Sequence, residues 1–287
     1  MNPRPGAILS RLFLVCFIGL CSVAASANAN PLRVMSFNIR LPLAQDGANA
    51  WNHRRDIAAE TIAEERPDIV ATQELHKVQG DHLLTRLPGL NWFGIDRRGD
   101  HGDEHMAIFY RRSRLRLLDL GNFWLSDTPQ VPGSISWDHP YPRMVTWGLF
   151  KDKSSRRRFY VFNTHFPHRA EDGEARRRAA ELLAAHIAAL PPDVPVILAG
   201  DFNATPDSAI HAVLTASLHD LRQTARSVAG PEETFHAFTG NADRRIDWIL
   251  ARGFDALRIE TVTDNREGRY PSDHFPVVAE LLWSEAA

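Results

Sequence analysis

The chain has 287 residues, 44% of them hydrophobic, and its 33 Lys+Arg against 35 Asp+Glu give a formal net charge of −2. This length allows one large domain or two small ones, and the slight acidity argues against a nonspecific nucleic-acid binder, which is usually basic. With only 2 cysteines, the sequence excludes a disulfide-stapled scaffold and requires a core large enough to be stable alone.

Residues 1–29 have the pattern of a signal peptide. Arginines precede an apolar run over residues 12–25, and small residues follow it. The run is shorter than the roughly 20 residues of a spanning helix, so we expect cleavage after Ala27 or Ala29 rather than an uncleaved anchor. Both cysteines lie in this segment. The mature domain, residues 30–287, is expected to be a periplasmic or secreted monomer without a stable membrane span.

Apolar patterning predicts strands and helices in a mixed order. Alternation over residues 33–40 indicates a strand, and the apolar stripe of residues 174–190 indicates the clearest helix. Pro67 ends an earlier helix, and Thr205-Pro206 predicts the start of a later one. The predicted elements are a strand at 33–40, a helix at 52–65, strands at 68–72, 105–110, 115–125, 144–150 and 159–162, a helix at 174–190, a strand at 194–199, a helix from about Pro206, and strands at 246–250, 259–262 and 277–282.

This order predicts an α/β fold. Strand–helix units occur at both ends of the chain and consecutive strands in the middle, so the strict alternation of a barrel is absent. Two mixed β-sheets packed face to face with helices outside, a four-layer α/β sandwich, accommodate the pattern.

Polar side chains stand at the ends of six predicted strands. Asp201 and Asn203 follow the apolar run 194–199, and their spacing points both side chains to one side of a strand. Each segment alone is ordinary turn chemistry, but together they indicate a polar rim. The six segments are Ser36-Phe37-Asn38, Gln73-Glu74, Asn163-Thr164-His165, Gly200-Asp201-Phe202-Asn203, Arg245-Ile246-Asp247 and Ser272-Asp273-His274.

In this order the six segments resemble the endonuclease/exonuclease/phosphatase family, the deoxyribonuclease-I-like fold, over residues 33–282. Segments 105–111, 200–206 and 245–250 look closest to secreted bacterial metal-dependent hydrolases near the deadenylase and nocturnin branch. The segment Gln73-Glu74-Leu75 departs from the apurinic-endonuclease branch, which favours a lysine soon after the glutamate, and the chain lacks the Trp-Cys-Asp-Arg signature of inositol polyphosphate phosphatases. These departures argue against DNA-repair and inositide activities.

The resemblance implies a site for a divalent metal. Phosphate-ester hydrolysis brings water to an anion and places charge on a leaving oxygen, and a hard cation assists both. Mg²⁺ prefers oxygen ligands, so we expect Mg²⁺, or Mn²⁺, at Glu74 with Asn38 beside it and Asp273 completing or supporting the site. Whether one or two ions act stays open. The alternatives are a surface carboxylate for Glu74 and a turn residue for Asn38.

Asp201 is expected to orient or deprotonate the attacking water, and Asn203 to hold the phosphoryl oxygens or the same water. An unperturbed aspartate, with a pKa near 3.9, is a weak base at neutral pH. Proximity to the water is therefore expected to matter more than basicity. The alternative for Asp201 is a helix cap before Pro206.

His274 is expected to contact a phosphate oxygen as an imidazolium and to stabilise the transition state. The resemblance gives Asp247 as its partner. A lone aspartate in an apolar strand is costly unless paired, which supports this pair independently. His165 is expected to face the phosphate from the other side, and the resemblance pairs it with Glu104.

Arg143 is predicted either to clamp a substrate phosphate with its planar guanidinium or to form a surface salt bridge. The loop 129–142 is long, as functional loops often are, and is the candidate for substrate selection, although its aromatic residues could equally anchor it. The arginine triplets 156–158 and 176–178 are expected to be solvated rather than nucleic-acid patches.

The sequence therefore predicts an exported hydrolase of phosphate esters, with phosphodiesters favoured over monoesters, acting by metal-assisted in-line attack of water. It would be a nuclease or a small-molecule phosphodiesterase, and short nucleic acids are among its candidate partners. The alternatives are a phosphomonoesterase, a lipid phosphodiesterase or a catalytically inactive binding module, because one fold hosts all of these.

Overall fold

The structure is a computed structural model that describes residues 1–2 and 30–284. The predicted signal peptide and both predicted cleavage sites fall on residues 3–29 and the bond after them, outside the described residues. Within the described residues, no helix is both long enough and apolar enough to cross a membrane.

Thirteen strands and five helices make up the described part of the chain. The strands are β1 (Leu32–Asn38), β2 (Ile69–Gln73), β3 (Leu90–Phe93), β4 (Ile108–Arg111), β5 (Leu115–Trp124), β6 (Met144–Asp152), β7 (Arg158–His165), β8 (Val196–Asp201), β9 (His219–Asp220), β10 (Ser227–Ala229), β11 (Asp247–Arg252), β12 (Phe254–Thr261) and β13 (Val277–Trp283). The helices are α1 (Trp51–Glu65), α2 (Lys77–Arg86), α3 (Gly173–Ala188), α4 (Ala209–Thr215) and α5 (Leu221–Thr224), with short 3-10 turns at Ala44–Asn49 and Ala170–Asp172.

The strands form two mixed sheets. Sheet 1 has seven strands in the order β10-β12-β13-β1-β2-β4-β3, and sheet 2 has six in the order β5-β6-β7-β8-β11-β9. In sheet 1, β1 is parallel to β2 and antiparallel to β13. In sheet 2, β7 is parallel to β8, which is antiparallel to β11.

Apolar side chains pack between the four layers of helices and sheets at three interfaces. Because successive strand residues face opposite sides, Val34 packs between the sheets while Met35 packs towards α1 and α2. In sheet 2, Ile197 faces the other sheet and Leu198 faces α3. The order helices, sheet 1, sheet 2, helices confirms the predicted four-layer α/β sandwich.

The predicted start of a helix at Pro206 is wrong. Pro206 lies in a turn, and α4 begins at Ala209 because the Ser208 hydroxyl accepts the His211 N–H at 3.4 Å and caps the helix. The patterning also missed α2, whose first turn is closed by the Gln79 side chain accepting the His76 N–H at 2.9 Å.

Strand register brings the predicted site residues to one edge of the molecule. Asn38 lies opposite Gln73 at the carboxyl ends of β1 and β2, and His165 lies opposite Asp201 at the ends of β7 and β8. The first residue of β11, Asp247, pairs with Asp201 from the antiparallel side. Carboxyl ends of neighbouring parallel strands share an edge, so the polar rim follows from topology.

A buried amide network ties the two sheets together beside this edge. The Nδ2 of Asn163 in β7 donates to the carbonyls of Thr72 and Ala107 at 2.8 Å each, and the Nε2 of Gln73 donates to Asn163 Oδ1 at 2.7 Å. Both amide side chains are fully buried. These bonds fix the position of sheet 1 relative to sheet 2 where the site forms.

Candidate active site

One cleft of about 640 Å³ opens at this edge. Asn38 and Asp247 lie directly behind its wall, hydrogen-bonded to residues that line it. The structure thus brings all ten predicted site residues together, and their individual roles stay predictions. The eight that line the cleft are Glu74, Glu104, Arg143, His165, Asp201, Asn203, Asp273 and His274.

Sheet 1 and its loops supply an acidic side of the cleft. Glu74 has a left-handed backbone, with φ of 58°, a strained conformation that side chains adopt mainly at functional sites. Its Oε2 accepts the Leu41 N–H at 3.1 Å. Burial, and then the nearby Glu74, raises the pKa of Asp273, although His274 and Arg40 oppose this. Two buried carboxylates therefore face the cleft close to each other.

The buried Arg54 fixes the loops that carry this acidic side. Its guanidinium donates to the carbonyls of Ile39 at 2.5 Å, Arg40 at 2.8 Å and Pro271 at 3.0 Å. Burial lowers the pKa of Arg54 to about 10, so it remains a cation at neutral pH. It holds the segment after Asn38 against the segment before Asp273.

Asn38 bridges the two sheets at the centre of the site. Its Nδ2 donates to Glu74 Oε1 at 3.1 Å and to Asp201 Oδ2 at 3.0 Å, and its Oδ1 accepts the Arg40 N–H at 3.0 Å. The amide therefore links the acidic side to the residue predicted to handle water, in addition to the oxygen it offers a cation.

Asp201 lies between Asn38 and two histidines. Its Oδ2 is 3.4 Å from His165 Nε2 and 3.9 Å from His274 Nε2, and its Oδ1 accepts the Asn203 N–H at 3.0 Å. Burial, with the nearby Asp247, raises the pKa of Asp201 to about 7. In this environment the carboxylate is more basic than the unperturbed aspartate considered from the sequence, and its role with the attacking water stays a prediction.

His274 and Asp247 form the predicted pair. His274 Nδ1 lies 2.8 Å from Asp247 Oδ2, which also accepts the Thr234 hydroxyl at 2.6 Å. Burial by itself lowers the pKa of His274, but Asp247, with Asp201 and Asp273, outweighs burial and raises it to about 10. Burial, together with the cation of Arg143, keeps the pKa of His165 well below its usual value. One imidazole is charged and the other neutral.

Arginine side chains form the wall opposite this pair, and one of them corrects the expected partner of Glu104. Arg97 Nη1 binds Glu104 Oε1 at 2.9 Å, while among the described residues His165 Nδ1 has no hydrogen-bond partner, so Glu104 pairs with Arg97 rather than with His165. Burial, and then Glu74, raises the pKa of Glu104 to about 7. Glu104 prefers Arg97 because the guanidinium supplies the charge that a neutral imidazole lacks.

Arg143 is buried in the cleft wall and forms no surface salt bridge. It is 4% exposed, its Nη2 lies 3.2 Å from His168 Nδ1, and its Nη1 has no partner among the described residues. An unpaired buried donor is costly. The arrangement favours the predicted phosphate clamp, since an anion in the cleft would satisfy that donor.

Two groups of side chains have donor sets that a metal could use. Asp201, Asp247 and His274 offer atoms within 4.8 Å of one another, but the His274 nitrogen facing Asp247 already shares a proton with it. Glu74 and Asp273, with the Asn38 amide, are oxygen donors whose mutual repulsion a cation would relieve. Oxygen donors suit Mg²⁺, so this second group fits a hard divalent cation better.

The loop 129–142 both reaches the cleft and anchors itself. Tyr141 lines the cleft, with the Arg97 guanidinium 4.8 Å from its ring centroid. Trp137 packs on the apolar cluster beside sheet 2, and its Nε1 donates to Asp127 Oδ1 at 2.8 Å. Trp124 is buried, and its Nε1 donates to the Arg97 carbonyl at 2.7 Å. These tryptophans therefore offer no exposed aromatic hairpin for a lipid surface.

Sequence reasoning missed several residues that shape the cleft. They are three arginines, two ring side chains and a threonine without a motif of their own, so only their proximity to Asn38, Glu104, Arg143 or His274 in space identifies them. A weak signal existed for Arg40, which lies two positions after Asn38 as Asn203 does after Asp201. The missed residues are Arg40, Arg97, His168, Thr234, Phe235 and Arg244.

The endonuclease/exonuclease/phosphatase family profile matches residues 35–274 of the chain. Among curated proteins, the uncharacterized protein L388 of Acanthamoeba polyphaga mimivirus is 33% identical over 250 residues, covering 79% of this chain and 91% of its own. Nocturnin of Rattus norvegicus is 24% identical over 305 residues, covering 91% of this chain and 68% of its own.

Solved structures give the same result. A crystal structure of an endonuclease/exonuclease/phosphatase family protein from Bacteroides thetaiotaomicron superposes with a TM-score of 0.84 at 33% identity, covering 90% of this chain and 99% of its own. A mannosyl-6-phosphatase of the same organism superposes with a TM-score of 0.82 at 33% identity, covering 88% of this chain and all of its own (100%). These similarities agree with the predicted deadenylase and nocturnin branch.

Proposed function

The chain belongs to the endonuclease/exonuclease/phosphatase family of phosphoesterases, and we propose that it is an exported, divalent-metal-dependent hydrolase of phosphate esters that favours phosphodiesters. One observation carries the proposal. An acidic group of side chains that suits a cation lies on the side of sheet 1, and the side chains expected to transfer protons lie on the side of sheet 2. Asn38 connects the two groups in a single cleft.

Glu74 and Asp273, with Asn38 beside them, would hold the cation. Bound there, a divalent ion such as Mg²⁺ or Mn²⁺ supplies charge neutralisation for the phosphate oxygens and the leaving oxygen. The burial of Asp273 and the nearby Glu74, which together raise the pKa of Asp273, support this assignment, because a cation would stabilise both carboxylates.

The chain's own side chains account for the remaining steps. The carboxylate of Asp201 would accept the proton of the attacking water, since a base with a pKa near the working pH is most effective. Asn203 would orient that water or a phosphoryl oxygen. The His274 imidazolium, held by Asp247, would donate a hydrogen bond to charge developing on phosphorus oxygens, and Arg143 would bind the same group from the wall.

A phosphomonoester is the second candidate substrate. The mannosyl-6-phosphatase with the same fold and the unpaired donor of Arg143 both favour it, because a terminal phosphate carries more charge than a diester. Export is proposed from the leader pattern of residues 1–29, and it is tested by locating the full-length protein in fractionated cells.

Hydrolysis of bis(4-nitrophenyl) phosphate and of 4-nitrophenyl phosphate by the purified protein tests the proposal. We expect turnover that requires Mg²⁺ or Mn²⁺, disappears with EDTA, and has the higher kcat/KM for the diester. Turnover that survives EDTA would contradict metal dependence, a higher kcat/KM for the monoester would select the second candidate, and no turnover of either ester would leave the binding-module alternative.

A further inference from the structure

Four cations lie together on the outer face of sheet 2, at the end of the sheet away from the active cleft. Strand register places Arg116 of β5 opposite Lys151 of β6, and Lys151 opposite Arg158 of β7. These side chains face away from sheet 1, because Phe159, the next residue of β7, packs between the sheets. Arg156 lies in the turn that joins β6 to β7. We call these four residues the cation patch.

The cation patch lacks the carboxylate partners that other surface arginines of this protein have. On α3, Arg177 and Arg178 pair with Glu174 at 2.7 and 2.9 Å, as expected for a solvated helix face. In the part of the chain that the structure describes, no carboxylate pairs with a member of the patch. The pKa of Lys151 is lowered, first by Arg156 and further by desolvation and the other two arginines. The four charges therefore repel one another without compensation.

This arrangement is unfavourable for the stability of the fold. Like charges directly opposite each other on neighbouring strands are destabilising, and the patch has two such pairs side by side. Arg156 also has a left-handed backbone, with φ of 65°, a conformation that glycine or asparagine adopts in a turn at lower cost. Because stability favours other residues at these positions, an anionic partner that neutralises the charges would account for the patch.

A partner bound at the patch would leave the active cleft open. Arg158 begins β7 and His165 ends it, so at about 3.3 Å per residue the two lie roughly 23 Å apart. A nucleic-acid substrate held by the patch would need a basic path along the outer face of sheet 2 to reach the cleft. The side chains on that path are apolar, so the patch is separate from the substrate site.

Half-buried apolar side chains border the patch on the side towards the cleft. Leu149 lies opposite Tyr160 in the next row of the sheet, and the rings of Tyr160 and Trp147 lie 6.0 Å apart. All three are partly exposed. Arginine and lysine beside partly exposed tyrosine and tryptophan are typical of surfaces that lie against lipid head groups, whereas unpaired bases need exposed rings on which to stack. The surroundings of the patch therefore favour a lipid surface.

We propose that the cation patch docks the protein on a membrane surface that contains anionic phospholipids, with the active cleft left open to solvent. The inference goes beyond the proposed function and does not depend on it, because the patch and the cleft lie at opposite ends of β7. Clusters of about four or more Lys and Arg residues bind anionic head groups. Binding through head-group charge is reversible and weakens as salt screens it.

Co-sedimentation of the full chain with vesicles tests the inference. Vesicles of phosphatidylcholine with about one third phosphatidylglycerol carry the anionic head groups, and vesicles of phosphatidylcholine alone measure any contribution of residues 1–29, which all variants share. We expect binding to the anionic vesicles at low salt and its loss at about 0.5 M NaCl. The triple variant Arg116→Gln, Lys151→Gln, Arg158→Gln should bind these vesicles about 100-fold less tightly.

A matched control removes three arginines from the opposite face of the molecule. Arg55, Arg86 and Arg266 pair with carboxylates of α1, so the triple variant Arg55→Gln, Arg86→Gln, Arg266→Gln changes the net charge equally and should bind the vesicles as the wild type does. Arg156→Gly should weaken binding about fivefold and raise the thermal unfolding temperature, because it relieves the left-handed backbone. Weaker binding in a more stable protein excludes misfolding as the cause.

Three outcomes would overturn the proposal: no binding to anionic vesicles at low salt, equal binding by the wild type and the patch variant, or an equal loss in the control. A fluorescent single-stranded oligonucleotide with EDTA tests the other polyanion. If it binds at lower protein concentration than the vesicles do and the patch variant loses it, the patch is a nucleic-acid site and the lipid assignment is wrong. Hydrolysis of bis(4-nitrophenyl) phosphate without vesicles should be equal in all variants, and its absence from all would contradict the proposed function alone.

Discussion

The two sheets bring unlike chemistry to one cleft. On the side of sheet 1, Glu74 and Asp273 are buried anions near each other, held by strained backbone and by the carbonyl clamp of Arg54. On the side of sheet 2, Asp247 pairs with His274 Nδ1 and accepts the Thr234 hydroxyl at the same carboxylate oxygen. The side of sheet 1 would therefore bind a cation, and the side of sheet 2 would transfer protons. The two functions are separable, and Asn38 connects the two sides.

The largest expected effect comes from removing the base on the side of sheet 2. Asp201→Asn should lower kcat about 10²- to 10⁴-fold, since proton transfer by a positioned base contributes about that much, and added Mg²⁺ should not restore it. Steady-state kinetics over a range of Mg²⁺ concentrations measures this. Asp207→Asn, an exposed carboxylate six residues along, is the control, and near-normal turnover in Asp201→Asn would refute the base role.

Replacing a predicted metal ligand on the side of sheet 1 should instead change the Mg²⁺ dependence of activity. Glu74→Gln keeps the shape but removes a negative charge, so we expect the Mg²⁺ concentration for half-maximal activity to rise about 100-fold, with activity partly recovered at high Mg²⁺. Thermal unfolding with and without Mg²⁺ gives a second readout, because a bound cation stabilises the folded state. Glu64→Gln, which only breaks a surface pair with Arg266, should change neither. An unchanged Mg²⁺ dependence in Glu74→Gln would move the metal site elsewhere.

His274 and Asp247 should act as one unit. His274→Ala and Asp247→Asn should each lower kcat/KM, and the double variant should lose little more than the worse single variant, because the imidazolium depends on its carboxylate partner. A double-mutant cycle measures the coupling, expected at about 0.5–3 kcal/mol. Losses that simply multiply would show two independent residues.

Breaking the amide network between the sheets should lower stability and impair both sides of the site together. Asn163→Leu removes three buried hydrogen bonds between the sheets, although Gln73 keeps the Ala71 carbonyl and the Ala107 carbonyl keeps the Thr72 N–H, and we expect the loss to cost about 2–4 kcal/mol. Urea unfolding measures this. The variant should weaken Mg²⁺ affinity and kcat alike, and a loss confined to one of them would show that the sheets are not positioned by Asn163.

The smallest effect is a pH dependence of stability from the His274–Asp247 pair. The folded pKa of His274 is raised to about 10, so its contribution is complete below an unfolded pKa near 6.5 and is lost as pH rises through the folded value. Between pH 7.5 and 9.5 the free energy of unfolding should fall by at most about 1.4 kcal/mol per pH unit. Asp247→Asn should flatten this slope, and equal slopes would contradict the pairing.

Patterns within short stretches of sequence were enough to predict the fold and the site residues that belong to motifs. Alternating strands, the stripe of α3 and the polar ends of six strands predicted the four layers and eight of the ten residues that the structure brings to the cleft, because burial patterns and turn chemistry depend on consecutive residues. Glu104 and Arg143 lie outside those six segments. The start of α4 was wrong by about one turn, since both Pro206 and the true cap Ser208 are good helix starters.

Only the tertiary structure decided how these residues pair. Glu104 binds Arg97 rather than His165, Arg143 is buried beside His168, and Arg54 reaches carbonyls more than 200 residues away in sequence at Pro271. Such contacts depend on distances between sheets that no local pattern contains. The raised pKa of Asp201 has the same origin, because burial is a property of the packed chain. The sequence by itself determined which chemical groups reach the rim, and packing determined their charges and their partners, because both depend on contacts between distant segments.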